Sequence, residues 1–283
     1  MSPLIPTNPR FWIGAPPEPG EPELLKGLLH RHSALLITGE TNVGKTLVAL
    51  ELVHALLTGE PLWGKLEPTK RLSQITYIMG EHDKESIQAL WGLLGFTSPN
   101  GFWVLPPPGK KIVARGELVQ DTLRTYRTWC EGADLAIFDP LAAFASGVDV
   151  ENDNAQMRSV VEGMETLIAP GALTILAHMG KMAFDPKAGK YIRRESYATR
   201  GASSVEDAVL DCFYMEKDTE HEGYKLRRRK YKGQAPSFYR LARHPTTLRH
   251  TLLAQGPTEA QLRATRQAAR QKAVICGQNA DRD

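Results

Sequence analysis

The chain has 283 residues, 42% of them hydrophobic and 24% charged, with a formal net charge of +3. That length allows one large α/β domain with a substantial core and short additions. It contains no apolar run approaching the roughly 20 residues that a membrane-crossing helix needs, and its three scattered cysteines, Cys130, Cys212 and Cys276, form no Cys-x-x-Cys pair, which disfavours zinc and fits a reducing cytosol. The charge is unevenly spread. Residues 1–224 carry 21 Lys+Arg against 29 Asp+Glu, a net −8, whereas residues 225–283 carry 14 against 3, a net +11. A split of this kind suggests a surface for nucleic acid or an acidic partner at the C-terminal end, with a solvated basic tail as the plain alternative.

Residues 1–23 hold seven prolines and read as an extended arm, in which Arg10-Phe11-Trp12-Ile13 is apolar enough to dock on its own domain or on a neighbouring subunit. From residue 24 the pattern becomes compact. Apolar runs predict strands at 34–38, 74–79, 102–105, 134–138 and 172–177, alternating with helical periodicity at 45–58, 84–95, 116–131 and 153–168. This alternation implies a mostly parallel central sheet with helices on both faces. After about residue 205, short runs at 212–215, 224–231, 238–241 and 248–253 predict antiparallel strands extending the sheet edge. Residues 258–275 read as a basic helix with Thr258 as a possible cap. The expected organisation is an arm over 1–23, one domain over 24–256, and a basic helix and tail over 257–283.

The stretch around the first helix carries the clearest chemistry. A buried-strand run, Ala34 to Ile37, passes through Gly39-Glu40-Thr41-Asn42-Val43-Gly44-Lys45-Thr46-Leu47 into the helix, a Walker A loop in its required context. The glycines let successive N–H groups face a polyphosphate at a helix N-terminus, where the helix dipole favours negative charge. Lys45 can reach the β- and γ-phosphates of ATP, and the hydroxyl of Thr46 can ligate Mg²⁺. A second acidic group for the metal is expected at the end of a buried strand. Asp139, closing the run Leu135 to Phe138, supplies it.

Hydrolysis also needs a base. The strand at Ile75–Met79, placed next to the loop strand in this reading, is followed by Gly80-Glu81-His82-Asp83. Glu81 is the first choice, Asp83 the competitor, and a helix cap the non-catalytic reading of both. A third strand ends in His178, where a polar side chain can sense the γ-phosphate and relay its loss to the next loop. That loop interleaves Lys187, Lys190, Arg193 and Arg194 with Phe184 and Tyr191, a mixture suited to gripping a phosphate backbone and stacking on bases. The cationic turn Arg227 to Pro236 offers Lys230 and Lys232 as fingers into a neighbour's ATP site, with solvated edge-strand charge as the plain reading.

In their order along the chain, GETNVGKT, YIMGEHD, LAIFDP, ILAHMGK, RGASSVEDA and KYKGQAP resemble the RecA-like P-loop ATPases and, within them, the plasmid RepA-type hexameric replicative DNA helicase family. The resemblance covers most of residues 25–240. It implies a RecA-like α/β P-loop NTPase fold, phosphate binding by Lys45 and Thr46, catalysis by Glu81, metal contact through Asp139 and γ-phosphate sensing by His178. It also implies intersubunit or DNA roles around Arg200, fingers near Lys230 and Lys232, and a cytoplasmic hexameric ring of identical chains on single-stranded DNA, away from membranes. The chain departs from relatives in having Pro140 after Asp139 and Lys where bacterial replicative helicases usually place Arg in the KYKG segment. A filament-forming recombinase or annealing ATPase of the same fold, and a nucleotide-switched regulator that never grips DNA, are the competing functions.

Overall fold

A computed structural model of the chain describes residues 23–31, 33–81, 83–97, 100–106, 112–114, 117–146, 154–167, 171–178, 183–185, 190–192, 203–209, 211–230, 236–258, 261 and 264–265. The principal elements in chain order are β1 (Ala34–Gly39), α1 (Lys45–Thr58), β2 (Ile75–Met79), α2 (Lys84–Leu93), β3 (Phe102–Leu105), α3 (Gln120–Cys130) and β4 (Leu135–Asp139). They continue with α4 (Asn154–Glu165), β5 (Ala172–His178), α5 (Ser203–Ala208), β6 (Asp211–Lys217), β7 (Tyr224–Lys230), β8 (Phe238–Arg243) and β9 (His250–Gln255).

The nine strands form one sheet in the order β9-β8-β7-β6-β1-β5-β4-β2-β3. From β6 to β3 every pairing is parallel, and from β6 to β9 every pairing is antiparallel. This is the mostly parallel central sheet that the alternation implied. Side chains alternate across the strands, so both faces of the parallel part are apolar. Leu35, Ile37, Leu135, Ile137, Phe213 and Met215 join a core with α1 and α2. Leu36, Ala136, Phe138, Ile175 and Cys212 join a second core with α3 and α4 on the other face.

The helix α1 is buried along almost its whole length, so it lies between the sheet and further structure rather than on the surface. It ends where Gly59 takes a left-handed conformation and donates its N–H to the carbonyl of Ala55 at 2.8 Å. Its one buried carboxylate, Glu51, accepts from the Trp63 indole at 3.1 Å and from the His250 backbone N–H at 2.5 Å, with the His250 ring 2.7 Å away. These contacts fasten the C-terminal antiparallel strands to the helix that begins the phosphate loop.

Three expectations are corrected. The Ile75–Met79 strand is not next to β1: β5 and β4 stand between them, because parallel crossovers skip positions that local patterns do not encode. The run at 212–215 belongs to β6, which pairs in parallel with β1, so only β7, β8 and β9 form the antiparallel extension. The segment at 116–131 becomes helical only at Gln120, residues 117–118 being a short strand in a separate three-stranded sheet. Of the expected basic helix over 258–275, positions 258, 261, 264 and 265 are described: the last three are helical, and the Thr258 hydroxyl accepts from the Gln261 N–H at 3.3 Å, as a cap does.

Candidate nucleotide site

The loop Glu40–Gly44 joins β1 to α1 at the carboxyl edge of the sheet, where ligands of open α/β folds collect. Gly39 is still in the strand and is paired with His178 on one side and Met215 on the other. A Cβ there would collide with the Met215 carbonyl, so this glycine serves strand approach as well as the turn. Gly44 sits at φ 107°, a left-handed value that suits glycine.

Five residues singled out from the sequence meet in one cavity of about 260 Å³: Lys45, Thr46, Glu81, Asp139 and His178. That is just below the range of roughly 300–1,000 Å³ for whole small-molecule ligands, and suits the phosphate end of a nucleotide. A larger groove of about 610 Å³ opens at the opposite edge, beside Arg127 and Gly171, without the phosphate loop or the strand-end Asp139.

The Lys45 ammonium donates to the carbonyls of Gly39 (3.1 Å) and Glu40 (2.7 Å) and lies 3.5 Å from His178 Nδ1. Burial lowers its pKa to about 8, while Asp139, Glu81 and Glu40 pull it back up. On the other side of the His178 ring, Nε2 is 3.3 Å from Glu81 Oε2. A protonated Lys45 has only donors, so it assigns Nδ1 as acceptor and Nε2–H as the donor to Glu81. The imidazole thereby links the loop lysine to the strand-end carboxylate.

Asp139 is 5% exposed, and its Oδ2 accepts from Thr46 Oγ1 at 2.8 Å and from the Tyr77 hydroxyl at 2.6 Å. A carboxylate and an alcohol oxygen, hard donors held this close on the cavity wall, fit Mg²⁺. When bound, the ion would neutralise charge on the phosphate oxygens. Tyr77 is fully buried, and burial, with Asp139 beside it, pushes its phenol pKa well above the ordinary value, so it remains a donor.

Glu81 bends in from the end of β2 although that strand is three places from β1. Asp83, the competing base, caps α2 by accepting from Ser86 N–H at 2.7 Å. The loop after His178 contains a two-stranded antiparallel ladder in which Ala183, Phe184 and Asp185 face Ile192, Tyr191 and Lys190. Lys187, Arg193, Arg194, Arg200 and Lys232 lie outside the described residues, as do the side chains of Lys190 and Lys230.

Of the cationic segment, Arg228 is built into the core and Arg227 is paired at the surface, so these two are neither fingers nor simply solvated charge. Arg228 is buried, donates to Asp211 at 2.9 Å and to the Gly27 carbonyl, and covers the Phe213 ring at 4.6 Å. Arg227 pairs with Glu216 at 3.8 Å. Sequence reasoning missed Tyr77 and Arg243, both in contact with this site or lining it. The available signals were a phenol two residues from the end of an apolar strand, on the same face as that end, and a cation closing an alternating strand.

The loop, the strand-end carboxylates and the sheet order define a P-loop nucleotide-binding protein of RecA-like fold. Its sequence matches the family model described as AAA domain over residues 7–183, and the chain belongs to that family. No curated protein sequence matches it. Among solved structures it is similar to the flagellar accessory protein FlaH of Methanocaldococcus jannaschii, with 13% identity, a TM-score of 0.53 and coverage of 79% of this chain and 90% of that one. It is also similar to the KaiC-like protein PH0186 of Pyrococcus horikoshii OT3, with 11% identity, a TM-score of 0.52 and coverage of 82% and 94%. At these identities the structures support the fold. Family and fold together support nucleotide hydrolysis. No helix among the described residues is long and apolar enough to cross a membrane.

Proposed function

We propose that this chain is an ATP-driven DNA helicase or translocase of the ring-forming plasmid RepA type, acting on single-stranded DNA in cytoplasmic replication as a homo-hexamer. In this reading residues 24–256 are the motor unit, residues 1–23 an arm and residues 257–283 a basic tail. Glu81 takes a proton from the attacking water, and Lys45 leaves the carbonyls of Gly39 and Glu40 to meet the β- and γ-phosphates. Thr46 and Asp139 hold Mg²⁺. Lys230, Lys232 and Arg200 serve the neighbouring subunit's site.

The observation that carries the reading is the position of His178. Its ring lies between Lys45 and Glu81, and its strand runs within five residues into the ladder where Phe184 stands opposite Tyr191. Cleavage of the terminal phosphate changes the charge facing this imidazole and so biases the ladder beyond it. Lys187, Lys190, Arg193 and Arg194 are the cations that such a movement would carry along single-stranded DNA.

The test is unwinding of a forked duplex by the purified full chain with ATP and Mg²⁺, alongside mass measurement with and without an oligonucleotide. Strand separation and a closed ring are expected. ATP hydrolysis without separation overturns the helicase reading. Helical filaments on DNA would then indicate the recombinase, and a turnover rate indifferent to DNA the nucleotide-switched regulator.

A further inference from the structure

The antiparallel extension sends one cation into the phosphate site. Arg243 closes β8, and its Nη1 would stand 3.0 Å from a Cβ built on Gly44. It lines the same cavity as Lys45 and Thr46. Gly39 pairs with His178 on one side of β1 and with Met215 on the other. The terminal carbon of the Met215 side chain is 3.6 Å from that same Gly44 position, so Arg243 enters on the flank opposite Glu81 and His178.

Its surroundings hold the guanidinium without neutralising it. Arg243 lies over the Tyr224 ring at 4.2 Å and donates to the Tyr224 hydroxyl. Tyr224 meets the His250 ring edge-on at 5.8 Å, and His250 is bonded to Glu51 of α1. A chain of packed groups therefore ties the arginine to the helix that opens with Lys45. The nearby arginines Arg227, Arg228 and Arg240 each pair with a carboxylate, Glu216, Asp211 and Asp218 respectively. Among the described residues no carboxylate forms an ion pair with Arg243. Burial lowers its pKa, with the charge of Glu51 opposing that shift. A partly buried cation at the mouth of an anion site, stacked and oriented but lacking an adjacent counter-ion, is prepared for a planar, two-pronged contact with phosphate oxygens.

We propose that Arg243 is a nucleotide-binding residue that contacts the proximal phosphates of a bound nucleoside di- or triphosphate in its own subunit. The inference rests on the ATP-site reading above. Because it enters away from Glu81 and His178, its contact is made to ATP and ADP alike, and differs from a finger supplied by a neighbour.

Calorimetric titration of the full chain with ADP and with ATP tests this, using the wild type, Arg243→Ala, Arg243→Lys and Tyr224→Phe. Arg243→Ala weakens both nucleotides by the same factor, on the order of 10- to 100-fold. Arg243→Lys retains part of the affinity because the charge remains. Tyr224→Phe keeps the ring and loses only the hydroxyl that orients the guanidinium, giving a smaller loss. If the wild type binds neither nucleotide, the underlying site reading falls. If it binds and Arg243→Ala binds ADP equally well, or loses ATP alone, only the Arg243 assignment falls. Should the alanine variant not fold, the Arg243→Lys and Tyr224→Phe titrations decide, and unchanged ADP affinity in both overturns the assignment.

Discussion

Replacing Tyr77 with phenylalanine removes one oxygen from a fully buried ring and nothing from the cavity wall. Asp139 Oδ2 now accepts two hydrogen bonds, 2.8 Å from Thr46 and 2.6 Å from Tyr77. When the Thr46 oxygen turns to a cation, Tyr77 is the remaining described side-chain donor on Oδ2. A hydrogen bond to a charged acceptor contributes about 1.5–3 kcal/mol, and loss of a group that orients a metal ligand costs roughly 10- to 100-fold in metal affinity. The two figures agree, since each tenfold is about 1.4 kcal/mol. The expected result for Tyr77→Phe is a Mg²⁺ requirement for nucleotide binding raised by roughly 10- to 100-fold, read by titrating Mg²⁺ against a fluorescent ATP analogue. Urea unfolding of the same samples should show a loss of no more than about 1.5–3 kcal/mol, that of the hydrogen bond alone, because the ring still fills its place. A Mg²⁺ titration that superimposes on the wild type would refute the reasoning, whatever the stability.

Glu81→Gln keeps the shape of the strand end and removes the proton acceptor. ATP hydrolysis should fall by at least about 100-fold while equilibrium ATP binding persists, and normal turnover would transfer the base to Asp83 despite its capping bond. Arg228→Met leaves Asp211 buried without its guanidinium partner and should destabilise the fold by about 3–5 kcal/mol in denaturant melts. Adding Asp211→Leu should recover much of that loss, since Tyr239 still donates to the Gly27 carbonyl at 2.8 Å; a silent single variant would contradict the buried pair. Burial under the stacked Phe96 ring holds His54 below its ordinary pKa of 6.5. In the window below 6.5 the unfolded chain therefore binds more protons than the folded one, and the His54 contribution to stability rises with pH. The drop in unfolding midpoint between pH 7 and pH 5 should be smaller in His54→Gln, and equal slopes would show that His54 titrates alike in both states.

What could be read from the residue order was whatever is encoded over a few neighbouring positions. The phosphate loop spans Gly39 to Thr46, so its turn, its lysine and its hydroxyl follow from contiguous residues, and α1 runs over the predicted 45–58. The unbroken apolar runs of β1 and β4, in a chain that alternates strands with helices, announced two buried faces, and both exist. The meeting of distant groups was a different matter. Thr46 and Asp139 are 93 positions apart and Lys45 and His178 are 133 apart; their types and strand-end positions suggested one site, but not that His178 would bridge to Glu81 or that Tyr77 would bind Asp139.

Strand order was the larger gap. A short apolar run states that a strand is buried and says nothing about which strand lies beside it, since any parallel neighbour satisfies its hydrogen bonds. Packing of the two helical layers placed β5 and β4 between the loop strand and β2. The same packing turned Arg228 into a core ion pair and carried Arg243 across to the phosphate loop. Local periodicity sets backbone shape and burial, whereas the partners of a charged side chain depend on which surfaces the folded chain brings together.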